Sequence, residues 1–250
     1  VYKRQDQHRL ALSVLGAPTE RGTQQAATQE VYDLVGNNYY NPNWGWQSGK
    51  RRNARVRNYH EPIAVLNYTY DINDRSQLNV ATSVRFGENG NSALTWYAGP
   101  DPRPDYYRYL PSYSNGTTYG AWLDEAWRAN TDNIRHINWG QLYDINRNQE
   151  ENATYGPGHR SINMIEERHT DQLDWNFYTQ FSHTFRNNSR INGGVNLRRN
   201  RTEYYSEVKD LLGGDYWVDI DKFAERDMGG LNPIPYQNDM EYYEKYGHAR

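Results

Sequence analysis

The sequence predicts an all-β fold, an antiparallel transmembrane β-barrel segment of about five strands of a larger barrel, with long extracellular loops carrying short helices. Three observations predict it. Apolar residues recur at every second position in five separate segments. Short Asn-rich turns alternate with very long connections. Only 36% of the 250 residues are hydrophobic, yet 14% are aromatic, with 23 Tyr and 8 Trp, at a mean hydropathy of -1.10. A barrel wall accounts for that pairing, because its strands are apolar on one face only and its Tyr and Trp gather at the membrane interfaces and in outer loops.

In the first strand Leu10, Leu12 and Val14 alternate with Arg9, Ala11 and Ser13. The second, after Pro62, sets Ala64, Leu66, Tyr68 and Tyr70 against Val65, Asn67, Thr69 and Asp71. The third sets Leu78, Val80, Thr82, Val84 and Phe86 against Gln77, Asn79, Ala81, Ser83 and Arg85. In the fourth, Leu173, Trp175, Phe177, Thr179, Phe181, His183 and Phe185 oppose Asp174, Asn176, Tyr178, Gln180, Ser182 and Thr184. That run exceeds the roughly 9 to 11 residues a tilted spanning strand needs. The fifth sets Ile191, Gly193, Val195 and Leu197 against Asn192, Gly194, Asn196 and Arg198. One face of each strand is expected to meet lipid, and the polar face a lumen.

Ile72–Ser76 and Arg186–Ser189 read as tight hairpin turns, placed on the periplasmic side. The stretch from Ala17 to about Arg57, and that from about Gly87 to Ile162, read as long outer loops. Helical composition appears at Thr23–Val35, and Tyr119–Asn148 mixes Trp122, Leu123, Trp127, Ile134, Ile137, Leu142 and Tyr143 with charges, so short rim helices are expected there. A soluble sheet with one covered face gives the same alternation; the long connections and scarce apolar residues favour the barrel. The sequence opens on Val1 and closes in the polar stretch Lys245 to Arg250, so a partial barrel domain spanning 1–250, without plug or closing strand, is expected.

Composition narrows the function classes. A net charge of -3 gives no basic surface for nucleic acid. The absence of cysteine removes thiol nucleophiles and thiolate metal sites. No apolar run reaches the roughly 20 residues of a membrane-spanning helix. The seven His residues have no zinc-site spacing, and Glu150–Glu151 and Glu166–Glu167 are adjacent pairs that a strand turns to opposite faces. Without a phosphate loop or nucleophile elbow, an enzyme is not expected, and no cofactor. Loop aromatics carry the binding expectation: Trp44, Trp46, Trp96, Tyr106 and Tyr107 are the candidate ligand residues, since flat rings stack on apolar ligand faces. Tyr97, Trp122, Trp127 and Trp139 belong to the same set of loop rings. Asp215, Asp219 and Asp221, grouped around Trp217, are a weak candidate for calcium, without the spacing of an EF-hand; a solvated loop is favoured over a metal site.

Four loop segments carry a resemblance. Asn41–Val56 (NPNWGWQSGKRRNARV), Asp101–Tyr113 (DPRPDYYRYLPSY), Ile137–Tyr143 (INWGQLY) and Asp219–Asp227 (DIDKFAERD) resemble loop motifs of Bacteroidota-type TonB-dependent outer-membrane receptors, SusC/RagA-like or carboxypeptidase-regulatory-domain-containing. The resemblance implies a barrel of about 22 strands around an N-terminal plug. It further implies energised import, through TonB, of a large scarce nutrient: a glycan, peptide or metal complex. Implied partners are outer-membrane lipid, the receptor's own plug and TonB, with a surface lipoprotein in some members. The other function class that the residues leave open is a secreted carbohydrate-binding β-domain with aromatic-rich loops.

Overall fold

The computed structural model describes residues 2–97, 99–151, 157–230, 242–244 and 248–249. Of the terminal residues named above, Val1, 245–247 and Arg250 lie outside the described residues. From the N-terminus the elements are β1 (Tyr2–Arg4), β2 (His8–Leu15), β3 (Thr19–Gly22), α1 (Gln29–Val35), β4 (Trp44–Gln47), β5 (Lys50–Asn53), β6 (Val56–His60), β7 (Ile63–Asn73) and β8 (Ser76–Trp96). There follow α2 (Thr118–Ala129), α3 (Trp139–Arg147), β9 (Asn163–Thr184), β10 (Arg190–Asp210), β11 (Tyr216–Val218), α4 (Lys222–Met228), β12 (Tyr242–Glu244) and β13 (His248–Ala249). They group into two compact units: 1–20 with 58–90 and 169–204, and 21–57 with 91–168 and 205–250.

The first unit is a single antiparallel layer in the order β1-β2-β7-β8-β9-β10. Each of the five alternating segments is a strand. Register aligns their faces: Leu12 lies opposite Leu66, and Leu66 opposite Thr82; Val14 lies opposite Ala64, and Ala64 opposite Val84. One side of β2, β7 and β8 is thereby apolar from strand to strand. On the other side Arg9 donates twice to Asp71, at 3.0 and 2.8 Å. Gln77 donates to Asp71 at 2.7 Å, Asn79 to Gln77 at 3.0 Å, and Thr69 to Asn79 at 3.0 Å. Farther along, Arg198 holds Asp174 through Nε and Nη2, at 3.0 and 2.7 Å, and Arg85 reaches Gln172 at 3.1 Å. The strand path is open: among the described residues no pairing joins β1 to its far end.

Both tight turns form where Asn-rich sequence placed them. Asn73 Oδ1 accepts the Arg75 N–H at 3.0 Å, and Asp74–Arg75 close the β7–β8 hairpin. Between β9 and β10, Asn188 takes the left-handed conformation at φ 63°, and Asn187 Oδ1 accepts from both the N–H and the hydroxyl of Ser189. Asn tolerates that backbone better than most residues, since its short side group bonds locally.

The strands run farther than alternation indicates. Loop was expected from about Gly87, but β8 continues to Trp96, β9 begins at Asn163, and β10 extends to Asp210. In those extensions hydrophobic identity no longer follows the two-residue period. Asn163, Met164 and Ile165 of β9 are buried in succession, covered on both faces, while farther on burial falls on every second residue but on the polar Glu167 and His169, as it does on Ser92 of β8.

Hydrophobic cores lie in the second unit. Val31, Leu34, Tyr40, Leu110 and Trp127 form one, Ala54, Leu94, Ile137, Trp139, Leu142, Ile165 and Leu212 another, and Met164, Val208, Leu211 and Trp217 a third. Helix α1 is shorter than Thr23–Val35, because Thr23 is held in extended form by its N–H to Arg55 O at 2.8 Å. Two helices and a 3-10 turn fill Tyr119–Asn148, as composition predicts.

Candidate functional site

The second unit holds a cavity of about 420 Å³ between the end of β8, the Pro-rich segment after it, α2, α3 and the start of β9. Each wall has a local cause. Asp101 fixes the Pro-rich segment: its carboxylate accepts the Arg103 N–H at 2.9 Å and grips the guanidinium at 3.0 Å, while Arg103 Nη1 reaches Gln25 at 2.8 Å. The hydrogen bond from Arg103 to Asp101 raises the guanidinium above its ordinary pKa. Nearby, burial pushes the Asp105 carboxyl up, opposed by Arg103 and reinforced by Asp101, and its buried Oδ1 accepts no hydrogen bond. Tyr40 is raised mainly by its own burial.

Helix α2 begins at Thr117, whose Oγ1 accepts the Gly120 N–H at 3.0 Å as an N-cap. A Cβ on Gly120 would meet Ser114 O at 2.2 Å, so glycine is required for the preceding turn to close. Leu123, Ala126 and Trp127 face inward, and Trp127 Nε1 donates to Tyr109 O at 3.1 Å. On the same side of the helix, one turn before Leu123 and Ala126, Tyr119 and Trp122 stay half exposed and border the cavity with Leu123, their ring centroids 5.7 Å apart and planes 19° from parallel.

Helix α3 is capped by Asn138, whose Oδ1 accepts the Gln141 N–H at 3.1 Å. Its buried Asn146 is the anchor of the floor. The Asn146 amide nitrogen donates to Asn163 O, Leu211 O and Leu212 O at 2.7, 2.8 and 3.1 Å. Its oxygen accepts the N–H groups of Ile162 and Asn163 at 2.8 and 3.0 Å. Every hydrogen-bonding capacity of that carboxamide is used.

Of the five candidate aromatics only Trp96 lines the cavity. Trp44 packs edge-on against His136 at 4.1 Å and against Trp46 at 5.7 Å, and the Arg51 guanidinium lies over both indoles. That cluster fixes the β4–β5 hairpin, where a Cβ on Gly45 would meet Ile137 O at 2.0 Å. Tyr106 and Tyr107 contact one another at 4.7 Å and sit with Arg108, whose Nε donates to Tyr107 Oη at 2.9 Å. Trp127 and Trp139 are buried core residues. The cavity adds Tyr97, Tyr109, Tyr119, Trp122, Asn138, Gln141 and Asn163. For Tyr119 and Trp122 a signal existed: at i and i+3 they adjoin on one helix surface, each one turn before a buried residue, Leu123 and Ala126.

The acidic trio is not assembled. Asp215 turns to His159, accepting its N–H at 2.7 Å. Asp221 caps α4, accepting from Phe223 and Ala224 at 2.9 and 3.1 Å. Among the described residues no group of three His, Asp or Glu side chains is placed to hold a metal ion. No family model matches this protein, and neither a curated protein nor a solved structure is significantly similar to it.

Proposed function

We propose that this protein forms wall strands and outer loops of an outer-membrane β-barrel, a receptor of the TonB-dependent type that imports a large scarce nutrient. The carrying observation is an inverted burial pattern in the first unit. There the buried side chains among the described residues are Ser76, His169, Asp174 and Ser182. Large apolar residues are exposed instead: Leu12 at 41%, Val14 at 66%, Trp175 at 40%, Val195 at 53% and Leu197 at 51%. A sheet in water buries its apolar face against a second layer, and a monomer rarely exposes so extended a patch. Lipid against that face, and a hydrated lumen or plug against the hydrogen-bonded polar face, give each side its suitable solvent. On this reading the turns at Asn73 and Asn187 are periplasmic and the second unit is extracellular.

A spin-label scan tests the proposal, and these 250 residues contain no cysteine to compete with an introduced one. Labels go one at a time onto positions 79–86 of the complete natural polypeptide in lipid. Positions 80, 82, 84 and 86 should be relaxed by oxygen and shielded from a water-soluble nickel chelate, and odd positions the reverse. Equal nickel access at both sets overturns the proposal in favour of a soluble, aromatic-rich binding domain.

A further inference from the structure

We infer that the cavity of the second unit is a capture site for an uncharged, apolar stretch of peptide; this rests on the importer reading and narrows its nutrient. The first ground is charge. None of the described residues lining the cavity carries one: Arg103, between Pro102 and Pro104, is committed to Asp101, Arg135, next to Ile134, donates to the carbonyls of Trp127 and Arg128, and Arg160 lies over the Tyr97 ring without itself lining the space. An ionic metal complex or an acidic glycan would be desolvated there without a counter-charge.

The second ground is Asn163. It lines the cavity at 4% exposure, and its backbone carbonyl and N–H are both bound by Asn146. Its own carboxamide has no hydrogen-bond partner among the described residues and is not fully enclosed, so it leaves a donor and an acceptor open to a ligand at this wall. Asn138, with its amide nitrogen unused by the cap, and Gln141 add further carboxamides at the same wall. A carboxamide offers one acceptor oxygen and donor hydrogens, matching a peptide group in kind and spacing.

The third ground distinguishes peptide from sugar. Nearly every carbon of a neutral sugar ring brings a hydroxyl needing a partner, while most of this wall is Trp, Tyr, Pro, Leu and Ile. Apolar side chains, and proline rings above all, pack on such surfaces and ask nothing polar of them. The volume of about 420 Å³ suits a few residues, not a folded partner.

The probe is a capped neutral peptide, acetyl-Pro-Leu-Pro-Leu-amide, titrated into the complete natural polypeptide in detergent by calorimetry and tryptophan fluorescence. Comparison ligands are the same peptide with Lys replacing Leu, and maltotriose as a neutral glycan. The neutral peptide should bind and the Lys peptide should not. Asn163→Leu and Trp122→Ala should each weaken binding about tenfold, consistent with loss of one buried polar or aromatic contact. Gln141→Ala, at an exposed position, gives a smaller loss and guards against misfolding of Asn163→Leu. Tyr39→Ala, 85% exposed and outside the cavity, should bind as the parent does. Maltotriose binding in place of the peptide, no binding of either ligand, or unaltered affinity in both Asn163→Leu and Gln141→Ala overturns the inference. The spin-label alternation is read separately, so failure of the capture site leaves the wall reading standing, and failure of the alternation removes that reading whatever the cavity binds.

Discussion

Replacing Asn146 by Leu should uncouple the floor of the cavity, because Leu keeps the branch at Cγ but, besides being larger, carries no polar atom in place of the carboxamide. Asn146 is fully buried, so water cannot take over its partners. Loss of the carboxamide strands the N–H groups of Ile162 and Asn163, and leaves the carbonyls of Asn163, Leu211 and Leu212 short of a donor. An unsatisfied buried amide costs about 1–3 kcal/mol, and carbonyls with a second lone pair are more forgiving. Two stranded N–H groups therefore set the scale, and a loss of about 3–5 kcal/mol in the local stability of the second unit is expected from that cost. Hydrogen exchange of the Ile162 and Asn163 amides reads this directly: protection should fall by roughly 100- to 1,000-fold or more, at about 1.4 kcal/mol per factor of ten. Asn146→Asp should be worse than Asn146→Leu, because a carboxylate would face three carbonyl oxygens. Protection unchanged at both amides, with stability within about 1 kcal/mol of the parent, would refute the claim that this one residue ties β9 to the Leu211–Leu212 turn.

Three further outcomes follow from the same geometry. Val84→Lys should cost about 2–4 kcal/mol in a folding titration in lipid if it lies near the bilayer centre, and Ser83→Lys far less; equal, mild losses count against the face assignment. Asp105 binds its proton more tightly folded than unfolded, so between its ordinary and its raised pKa the native state holds more protons and stability falls as pH rises. Asp105→Asn should accordingly be more stable than the parent at neutral pH and flatten that slope in thermal melts across the acidic range; an unchanged slope refutes it. Gly120→Val should destabilise α2 by more than the roughly 1 kcal/mol of an exposed glycine change, since its Cβ would overlap the Ser114 carbonyl, and circular dichroism with limited proteolysis near Ser114 would report it.

The unevenness of what could be read from the residues has a physical origin. In β2, β7 and the first half of β8 apolar and polar residues alternate and the register sets like beside like, as with Val84 opposite Ala64 and Asn79 opposite Thr69, so identity records which side of the sheet a residue faces. In the far half of β9, Asn163 and Met164 are both buried despite pointing to opposite faces, and the pattern disappears with the contrast that produced it. The turns at Asn73 and Asn187 were legible because their chemistry is local. The cavity was not, because Trp96 and Asn163 meet only through the fold, and Asn146 reaches partners 17 and 65 residues away. Aromatic identity alone is a poor guide to a binding face: all three indoles of Trp44, Trp46 and Trp96 carry a guanidinium, Arg51 over the first two and Arg103 over the third, yet only Trp96 borders the cavity.

The two units therefore fold under opposite rules. The second gathers Trp127, Trp139, Leu212 and Val31 into covered cores, which is how a polypeptide gains stability in water. The first has no buried apolar residue with a side group among its described residues and pairs its polar groups with one another, through Arg9–Asp71 and Arg198–Asp174. Surface ion pairs of that kind contribute at most about 1 kcal/mol each, too little to hold a single-layer sheet together in water. Covering the exposed apolar side chains of Leu12, Leu66 and Val195 would add the stabilisation those pairs lack. On the proposed reading, a hydrocarbon solvent would supply it without a second protein layer, and the spin-label alternation on β8 is the measurement that decides it.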